Sequence, residues 1–188
     1  SMVMAEATNH YFKHLGVSDG LSQVCIPSIY QDELGAVWLG TTEGLNRYNG
    51  KDVRVFQPSE SNHGLTNNEI NELCGDKNGR MYIRSGNDLI KLDIYTEQFT
   101  CLRQKGVYGL FCKKDTLWVS CADGIYYYTG QGTELTFFAR VQKGFVGRAL
   151  YVDRETVWVV TRKYLVAISR EDPLRQEILL TLDKGDCI

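Results

Sequence analysis

The sequence predicts an all-β protein, a partial β-propeller of about four blades with four antiparallel strands each. Strand-like segments recur about every ten residues with turn signals between them, the sequence repeats itself with a period near 40 residues, and no stretch shows helical periodicity. Strands at this spacing fit a β-sandwich as well as a propeller. A sandwich does not require self-similarity at a fixed period, so the repeat favours the propeller.

The composition is that of a folded protein, and its charge balance does not favour binding to nucleic acid. The 188 residues are 43% hydrophobic and 11% aromatic, and 21 Lys and Arg oppose 23 Asp and Glu. A formal charge of -2 offers little attraction to phosphate backbones or anionic lipids. No apolar run approaches the roughly 20 residues that cross a bilayer. We therefore expect neither nucleic acid nor direct membrane contact.

The repeat is clearest at an offset of about 44 residues, in the range of propeller repeats. At this offset Gly20-Leu21-Ser22 aligns with Gly64-Leu65-Thr66. Further along the repeat the aligned pairs are Asp32 with Asp76, Gly35 with Gly79, Trp38 with Tyr82, and Leu45 with Leu89. Trp118 and Trp158 continue the series more loosely, which gives about four units.

The repeat sets the predicted boundaries. Residues 1–9 are expected to be a tag-derived or disordered start, and 10–19 an orphan outer strand, because they match the end of the first unit. Blades 1 to 4 are expected at 20–63, 64–106, 107–144 and 145–188. The predicted strands are 25–31, 36–41, 45–49 and 53–57; 70–75, 80–85, 88–93 and 99–103; 107–113, 116–121, 124–129 and 135–141; and 148–152, 156–161, 164–169 and 178–182.

The turn residues and aromatic residues that recur in each unit are predicted to have structural roles and not functional ones. Asp32 and Asp76 open Asp-x-x-Gly turns, where the carboxylate accepts backbone hydrogen bonds, and Asn49-Gly50 is typical of a tight hairpin. One aromatic residue at the centre of each unit is expected to pack blade against blade, because each such ring buries about 150–250 Å². These blade-packing residues are Trp38, Tyr82, Trp118 and Trp158.

Two stretches, 11–22 and 29–48, carry a family resemblance, and the second contains Trp-Leu-Gly-Thr-Thr-Glu-Gly-Leu-Asn-Arg-Tyr. They resemble the two-component regulator propeller repeats in the sensor regions of hybrid two-component systems, typical of gut Bacteroides. The second unit matches well. The third and fourth match in outline, since 120–125 and 160–165 depart from Gly-Thr-x-x-Gly-Leu.

The resemblance implies a fragment of a periplasmic sensor region, in a parent protein that is held in the inner membrane and carries a cytoplasmic histidine kinase. Such a region helps to detect an oligosaccharide and transmits the signal to the kinase. None of the kinase residues lies in this chain, so we expect no catalytic residue, no cofactor and no enzymatic activity in the fragment.

A ligand would bind at the loops between second and third strands and between blades, which gather on one face of a propeller. Concave sites need a few converging polar groups beside aromatic rings. Arg84 stands where Gly40 stands in the first unit, and 162–164 replaces a small turn. The candidate ligand-binding residues are Arg84, Asn87, Arg162, Lys163 and Tyr164, and the alternative is that these are solvated loops.

No metal site is expected. The three histidines, at 10, 14 and 63, are too dispersed to form one. The six cysteines, at 25, 74, 101, 112, 121 and 187, show neither a CxxC pair nor zinc spacing. Most lie in apolar strand-like runs, so buried thiols are expected. A disulfide in an oxidising compartment is the alternative, and the sequence does not give its connectivity.

Two other functions stay open beside ligand sensing. A non-catalytic scaffold for protein–protein contact or dimerisation is favoured by the absence of a sharp site, and its partner would be a second copy or the remaining blades of the parent. A lyase or glycosidase needs a convergent acid–base pair, which the sequence does not show. Because open strand edges recruit other strands, we expect the fragment to associate with itself.

Overall fold

The computed structural model describes residues 14–58, 64–141 and 149–182, which contain sixteen β-strands. The strands form four sheets of four, and in each sheet the strands follow chain order with every neighbouring pair antiparallel. The strands of sheet 1 are β1 Ser28–Gln31, β2 Val37–Thr41, β3 Gly44–Tyr48 and β4 Val53–Phe56. Those of sheet 2 are β5 Ile70–Gly75, β6 Arg80–Ser85, β7 Asp88–Asp93 and β8 Gln98–Arg103. Those of sheet 3 are β9 Val107–Lys113, β10 Thr116–Cys121, β11 Gly124–Tyr128 and β12 Thr136–Ala139. Those of sheet 4 are β13 Ala149–Val152, β14 Thr156–Val160, β15 Tyr164–Ser169 and β16 Gln176–Thr181.

The sheets stack face to face in chain order. The first strands contact one another in series, β1 with β5, β5 with β9, and β9 with β13. The second strand of each of the first three sheets also contacts the first strand of the next sheet. The first strands are therefore innermost, which is the arrangement of propeller blades. The predicted all-β propeller architecture is confirmed.

Each predicted strand corresponds to one observed strand, and six of them have the predicted bounds. The first strand is predicted from residue 25, but pairing begins at Ser28, directly after Pro27. Proline has no amide hydrogen to donate to a neighbouring strand, so it ends the pairing. β12 is shorter than predicted, and β16 begins earlier, at Gln176, which pairs with Ile168. The predicted blade boundaries enclose these strands and stay predictions.

The predicted outer strand at 10–19 overlaps the described residues only from His14. Within 14–19 the structure has a 3-10 turn at Val17–Asp19 in place of a strand. The reason is local: the amide of Asp19 donates to the carbonyl of Gly16 over 3.0 Å, and the Asp19 carboxylate accepts from the Gly16 amide over 2.9 Å. The hydrogen-bonding groups of Gly16 and Asp19 are thus satisfied within the turn and not by pairing with another strand. The expected start at 1–9, together with His10, Tyr11, Phe12, His63 and Cys187, lies outside the described residues.

Among the described residues the apolar core consists of three clusters, one between each pair of successive sheets. Trp38 and Tyr82 are fully buried and Trp118 is 4% exposed, and each lies in a cluster shared with the following sheet. Trp158 is half-buried. Its neighbours Val157 and Val159 face sheet 3, so alternation along the strand turns Trp158 to the opposite face of sheet 4. No described sheet covers that face.

An aspartate organises the turn after the first strand in three of the four sheets. In sheet 1 the Asp32 carboxylate accepts hydrogen bonds from the amides of Leu34 (3.0 Å) and Ala36 (2.9 Å) and from Trp38 Nε1 (2.7 Å). Asp153 repeats this pattern in sheet 4 with Trp158 Nε1 (2.8 Å). In sheet 2, where Tyr82 replaces tryptophan, Asp76 instead pairs with the Arg80 guanidinium. One carboxylate thus fixes both the turn and the side chain that follows it.

In the part of the chain that the structure describes, no helix has the length and apolar character required to cross a membrane.

Candidate ligand-binding face

The turns between second and third strands meet the connections between sheets on one side of the stack, which we call the turn face. The amide of Gly44 in the sheet 1 turn donates to the carbonyl of Asn68 over 2.8 Å. The amide of Gly86 in the sheet 2 turn donates to the carbonyl of Glu69 over 2.7 Å. The connection 64–69 therefore joins these two turns.

The connection 104–106 joins the turns of sheets 2 and 3 in the same way. The amide of Val107 donates to the carbonyl of Asn87 over 3.0 Å, and the amide of Ala122 donates to the carbonyl of Gly106 over 2.8 Å. The turn face accordingly consists of 41–44, 85–88 and 121–124 with the connections 64–69 and 104–106. Hydrogen bonds tie its backbone together, so the points from which its side chains project are fixed relative to one another.

Two of the predicted ligand-binding residues, Arg84 and Asn87, lie close together in sheet 2. The Arg84 side chain is only 14% exposed, and its Nε lies 3.3 Å from Glu72 Oε2. Its Nη1 donates to the carbonyl of Gly86 over 3.2 Å, and Asn71 Nδ2 donates to the same carbonyl over 3.2 Å. Arg84 is thus already engaged by the protein, whereas the side chain of Asn87 is exposed.

Glu72, the partner of Arg84, lies at the joint between sheets 2 and 3. Burial raises the pKa of Glu72, while a hydrogen bond from the Leu110 amide of sheet 3 and the Arg84 charge oppose the rise. Ser28 makes the corresponding contact between sheets 1 and 2, where its Oγ accepts a hydrogen bond from the Leu73 amide over 2.9 Å. Arg84 therefore orients a side chain that links two sheets.

The other three predicted residues, Arg162, Lys163 and Tyr164, belong to sheet 4. Arg162 and Lys163 are exposed in the turn, which Thr161 closes by accepting the Tyr164 amide at its Oγ1 over 2.9 Å. The Tyr164 ring is half-buried against the cluster between sheets 3 and 4. Sheet 3 separates this group from Arg84 and Asn87, and no hydrogen bond or ion pair of the described residues joins the two groups. Their role in ligand binding stays a prediction.

The structure brings together a different group beside the turn face, the Arg103 cluster, which consists of Arg103, Asp123, Tyr126 and Phe137, with Asp123 in the turn 121–124. Arg103 Nη2 lies 2.7 Å from Asp123 Oδ1, and the Tyr126 hydroxyl donates to Asp123 Oδ2 over 2.8 Å. The Arg103 guanidinium covers the Tyr126 ring at 4.6 Å, and Phe137 meets that ring edge-on at 5.4 Å. Asp123 and Phe137 are 49% and 52% exposed, so charge and an aromatic surface face solvent side by side.

Hydrogen bonding fixes the charge of this cluster. Burial alone raises the pKa of Asp123, but the hydrogen bonds from Tyr126 and Arg103 outweigh it and hold the pKa below its ordinary value of 3.8. A carboxyl whose folded-state pKa is lowered contributes stability above its unfolded-state value and loses it as pH falls through the folded-state pKa. The ion pair is therefore complete at neutral pH.

The Arg103 cluster is not evident in the sequence because its members come from two sheets. Arg103 ends β8 in sheet 2, Asp123 lies in the β10–β11 turn of sheet 3, and Phe137 is across the strand pair from Tyr126. The sequence assigns 126–128 to packing. Tyr127 packs against Trp118, and alternation puts Tyr126 on the other face, where it packs at the edge of the cluster between sheets 2 and 3 and also meets Arg103. An aspartate in the turn directly before an aromatic strand was the available signal.

Elsewhere, the described residues form no metal site but do form an open depression without charged groups. Within 14–58, 64–141 and 149–182, no three His, Cys, Asp or Glu residues lie close enough to hold a metal ion. An open depression of about 450 Å³ lies against β8 of sheet 2. It is lined without charged groups by Gly64, Leu65, Thr66, Phe99, Thr100, Cys101 and Gln104.

Residues 20–43 match the family model of the two component regulator propeller. This confirms the predicted resemblance in the unit where it is strongest. A histidine kinase of Formosa agariphila is 38% identical over 53 residues, which are 28% of this chain and 4% of that protein.

Solved structures share the fold. An extracellular domain described as part of a hybrid two component system of B. thetaiotaomicron superposes with a TM-score of 0.74 at 21% identity, over 89% of this chain and 26% of that one. A second such domain from B. thetaiotaomicron gives a TM-score of 0.67 at 18% identity, over 91% and 27%. The chain therefore spans about a quarter of the length of these structures.

Proposed function

We propose that this chain, which carries a two component regulator propeller repeat at 20–43, is part of the periplasmic sensor region of a hybrid two-component system. The observation that carries the proposal is the match of that repeat, together with a fold shared with extracellular domains of such systems over most of the chain. In this proposal the parent is held in the inner membrane and carries a cytoplasmic histidine kinase. The chain itself has no catalytic role and acts by binding.

The ligand in this proposal is an oligosaccharide, and the Arg103 cluster helps to bind it. An exposed aromatic ring offers an apolar face to the C–H groups of a pyranose, and a fixed Arg–Asp pair offers donors and acceptors to its hydroxyls. Asn87 is exposed on the same face. Because Arg103 belongs to sheet 2 and Asp123 to sheet 3, a bound ligand would change the contacts between two blades, which is a route for a signal.

Calorimetric titration of the purified chain with oligosaccharides released from a panel of polysaccharides tests this proposal. We expect Phe137→Ala and Asp123→Ala each to weaken binding about tenfold, which corresponds to about 1.4 kcal/mol. Tyr95→Ala is the matched control, since Tyr95 is also an exposed aromatic residue but lies in the β7–β8 turn. Binding of no oligosaccharide, or equal losses in Tyr95→Ala and Phe137→Ala, would contradict the proposal.

A second candidate function, a non-catalytic scaffold, is favoured by apolar surface at both ends of the stack. On β16, the edge strand of sheet 4, the consecutive residues Ile178, Leu179 and Leu180 are all exposed. At the other end Ile29 of β1 is 65% exposed. Such surface is typical of contact with another protein surface. The partner in this reading is a second copy or further blades of the parent.

Light scattering on the purified chain tests self-association. We expect a dimer or larger species, and Leu180→Glu is expected to reduce the mass to that of a monomer, because a charge is costly to bury in an apolar contact. Thr181→Glu places the same charge on the next exposed residue of the strand and is the control that keeps the assembly. A wild-type chain that is monomeric at all concentrations would exclude self-association through this strand.

A further inference from the structure

Two cysteines meet at the joint between sheets 2 and 3. Cys74 lies on β5 and Cys112 on β9, the innermost strands of the two sheets, and their Sγ atoms are 2.8 Å apart. Even carbon atoms, which are smaller than sulfur, pack best at about 3.5–4.0 Å. A disulfide places its sulfurs at about 2.05 Å. We propose that Cys74 and Cys112 form a disulfide bond that ties sheet 2 to sheet 3.

The surroundings place both sulfurs in one interface. Both side chains pack at the edge of the apolar cluster between sheets 2 and 3. Their strands are already in contact, β5 with β9, so closing the bond requires the sulfur atoms to move by less than about 1 Å. The structure therefore supplies the connectivity that the sequence leaves open.

The other described cysteines are placed differently. Cys25 is exposed near the start of sheet 1, and Cys101 packs in the cluster between sheets 1 and 2. Cys121 is fully buried in sheet 3, where burial raises its pKa to about 12. Among the five cysteines of the described residues, Cys74 and Cys112 are the pair whose sulfurs are in contact.

The chemistry of the pair suits a structural bond better than a catalytic one. Burial, reinforced by the neighbouring Cys112, raises the pKa of Cys74 well above its ordinary value. Disulfides of redox catalysts are easily reduced when their reduced form is stabilised as a thiolate. A buried Cys74 thiol gains no such stabilisation at neutral pH. Once formed, the bond is therefore expected to persist.

The oxidation is a pair of thiol–disulfide exchanges with a disulfide-bearing oxidant, such as oxidised glutathione or the disulfide of a thiol oxidase. One cysteine loses its proton and attacks the oxidant, which releases one thiolate and leaves a mixed disulfide. The second cysteine loses its proton and attacks the mixed disulfide, which releases the other thiolate. Two thiols of the chain become one disulfide, and the oxidant takes up both electrons and both protons as two thiols.

The bond links residues that are 38 positions apart in sequence. A cross-link over such a loop restricts the unfolded chain and so stabilises the folded one. It also limits how far sheets 2 and 3 can separate. The proposal does not rest on oligosaccharide binding, and its test uses neither a ligand nor a particular compartment.

Mass spectrometry of the purified chain tests the bond. The chain is equilibrated folded with oxidised and reduced glutathione, then denatured, alkylated without reductant and weighed. We expect four of the six cysteines to be alkylated, with one cross-linked peptide pair that contains Cys74 and Cys112. In Cys74→Ser or Cys112→Ser all five remaining cysteines should be alkylated, whereas Cys101→Ser, the matched control, should keep the bond. Six alkylated cysteines in the wild type, or a cross-link between other residues, would overturn the proposal.

Thermal unfolding tests the effect of the bond on the joint. Reductant should lower the Tm of the oxidised wild type by about 5–15 °C, since loops of this length give a substantial chain-entropy effect. The double variant Cys74→Ser/Cys112→Ser should show no such shift. An equal decrease in the Tm of the double variant would mean that another disulfide is responsible. It would contradict a stabilising bond between sheets 2 and 3.

Discussion

Asp32→Ala is expected to lower the free energy of unfolding by about 3–5 kcal/mol. The Asp32 carboxylate is 4% exposed and is the acceptor for the Ala36 amide and for Trp38 Nε1. Trp38 itself is fully buried. Truncation leaves two buried donors without an acceptor, and each such group costs about 1–3 kcal/mol. The loss of the turn contact to Leu34 adds to the effect.

Urea unfolding followed by circular dichroism measures this effect. Asp153→Ala is the matched control, because Asp153 accepts the amides of Glu155 and Thr156 and Trp158 Nε1 in the same pattern. Trp158 is only half-buried, so water can replace the lost acceptor and the expected loss is smaller. Losses of equal size in the two variants would show that burial of the acceptor does not determine its contribution.

Gly40→Ala is expected to destabilise the joint between sheets 1 and 2 by about 1–3 kcal/mol, the usual range for overpacking. A Cβ on Gly40 would lie 2.8 Å from Ile70 Cγ2 and 3.0 Å from the carbonyl oxygen of Ile70. Ile70 is fully buried on the inner strand of sheet 2, so neither atom can move away freely. The alanine methyl group must therefore push the two sheets apart.

The same unfolding measurement, made on three further variants, separates this clash from the general cost of replacing glycine. Gly16→Ala is the control, since Gly16 has an extended backbone with φ -130° and the nearest atom to a Cβ there is 3.8 Å away. It should leave stability nearly unchanged. Ile70→Ala removes the Cγ2 atom, so the double variant with Gly40→Ala should lose less than the sum of the two single variants. Strict additivity would argue against the clash.

Features that lie within one repeat unit could be predicted from the sequence. The strands β5, β6, β7 and β9 have their predicted bounds because alternating apolar residues and turn residues mark both ends of each strand. The aspartate turns followed for the same reason, since the hydrogen-bond acceptor and its turn amides are neighbours in the chain. Repetition at a fixed period then made the propeller the favoured fold.

Contacts between units could not be predicted in this way. Arg84 differs from Gly40 at the same position of the repeat, and that difference suggested a ligand contact. In the structure its partner is Glu72 of the same sheet, whose carboxylate in turn accepts the Leu110 amide of sheet 3, so the role of Arg84 depends on a contact between units. The pairing of Arg103 with Asp123 likewise depends on how one sheet lies on the next. A repeat alignment shows which residues are unusual, but not which residues of the adjoining blade they meet.

The uneven burial of the three tryptophans gives the protein its own optical probes. Trp38 lies between sheets 1 and 2 and Trp118 between sheets 3 and 4, whereas Trp158 lies on the face of sheet 4 that no described sheet covers. Indole emission shifts to shorter wavelength when water is removed from the ring. Any surface that covers sheet 4, whether another blade or a second copy, should therefore shift the emission of Trp158 to shorter wavelength. The emission of the buried Trp38 should stay unchanged and can serve as an internal reference. With Trp38 and Trp118 both replaced by phenylalanine, the emission spectrum would report on the outer face of sheet 4 alone, and with Trp158 replaced it would report on the two joints.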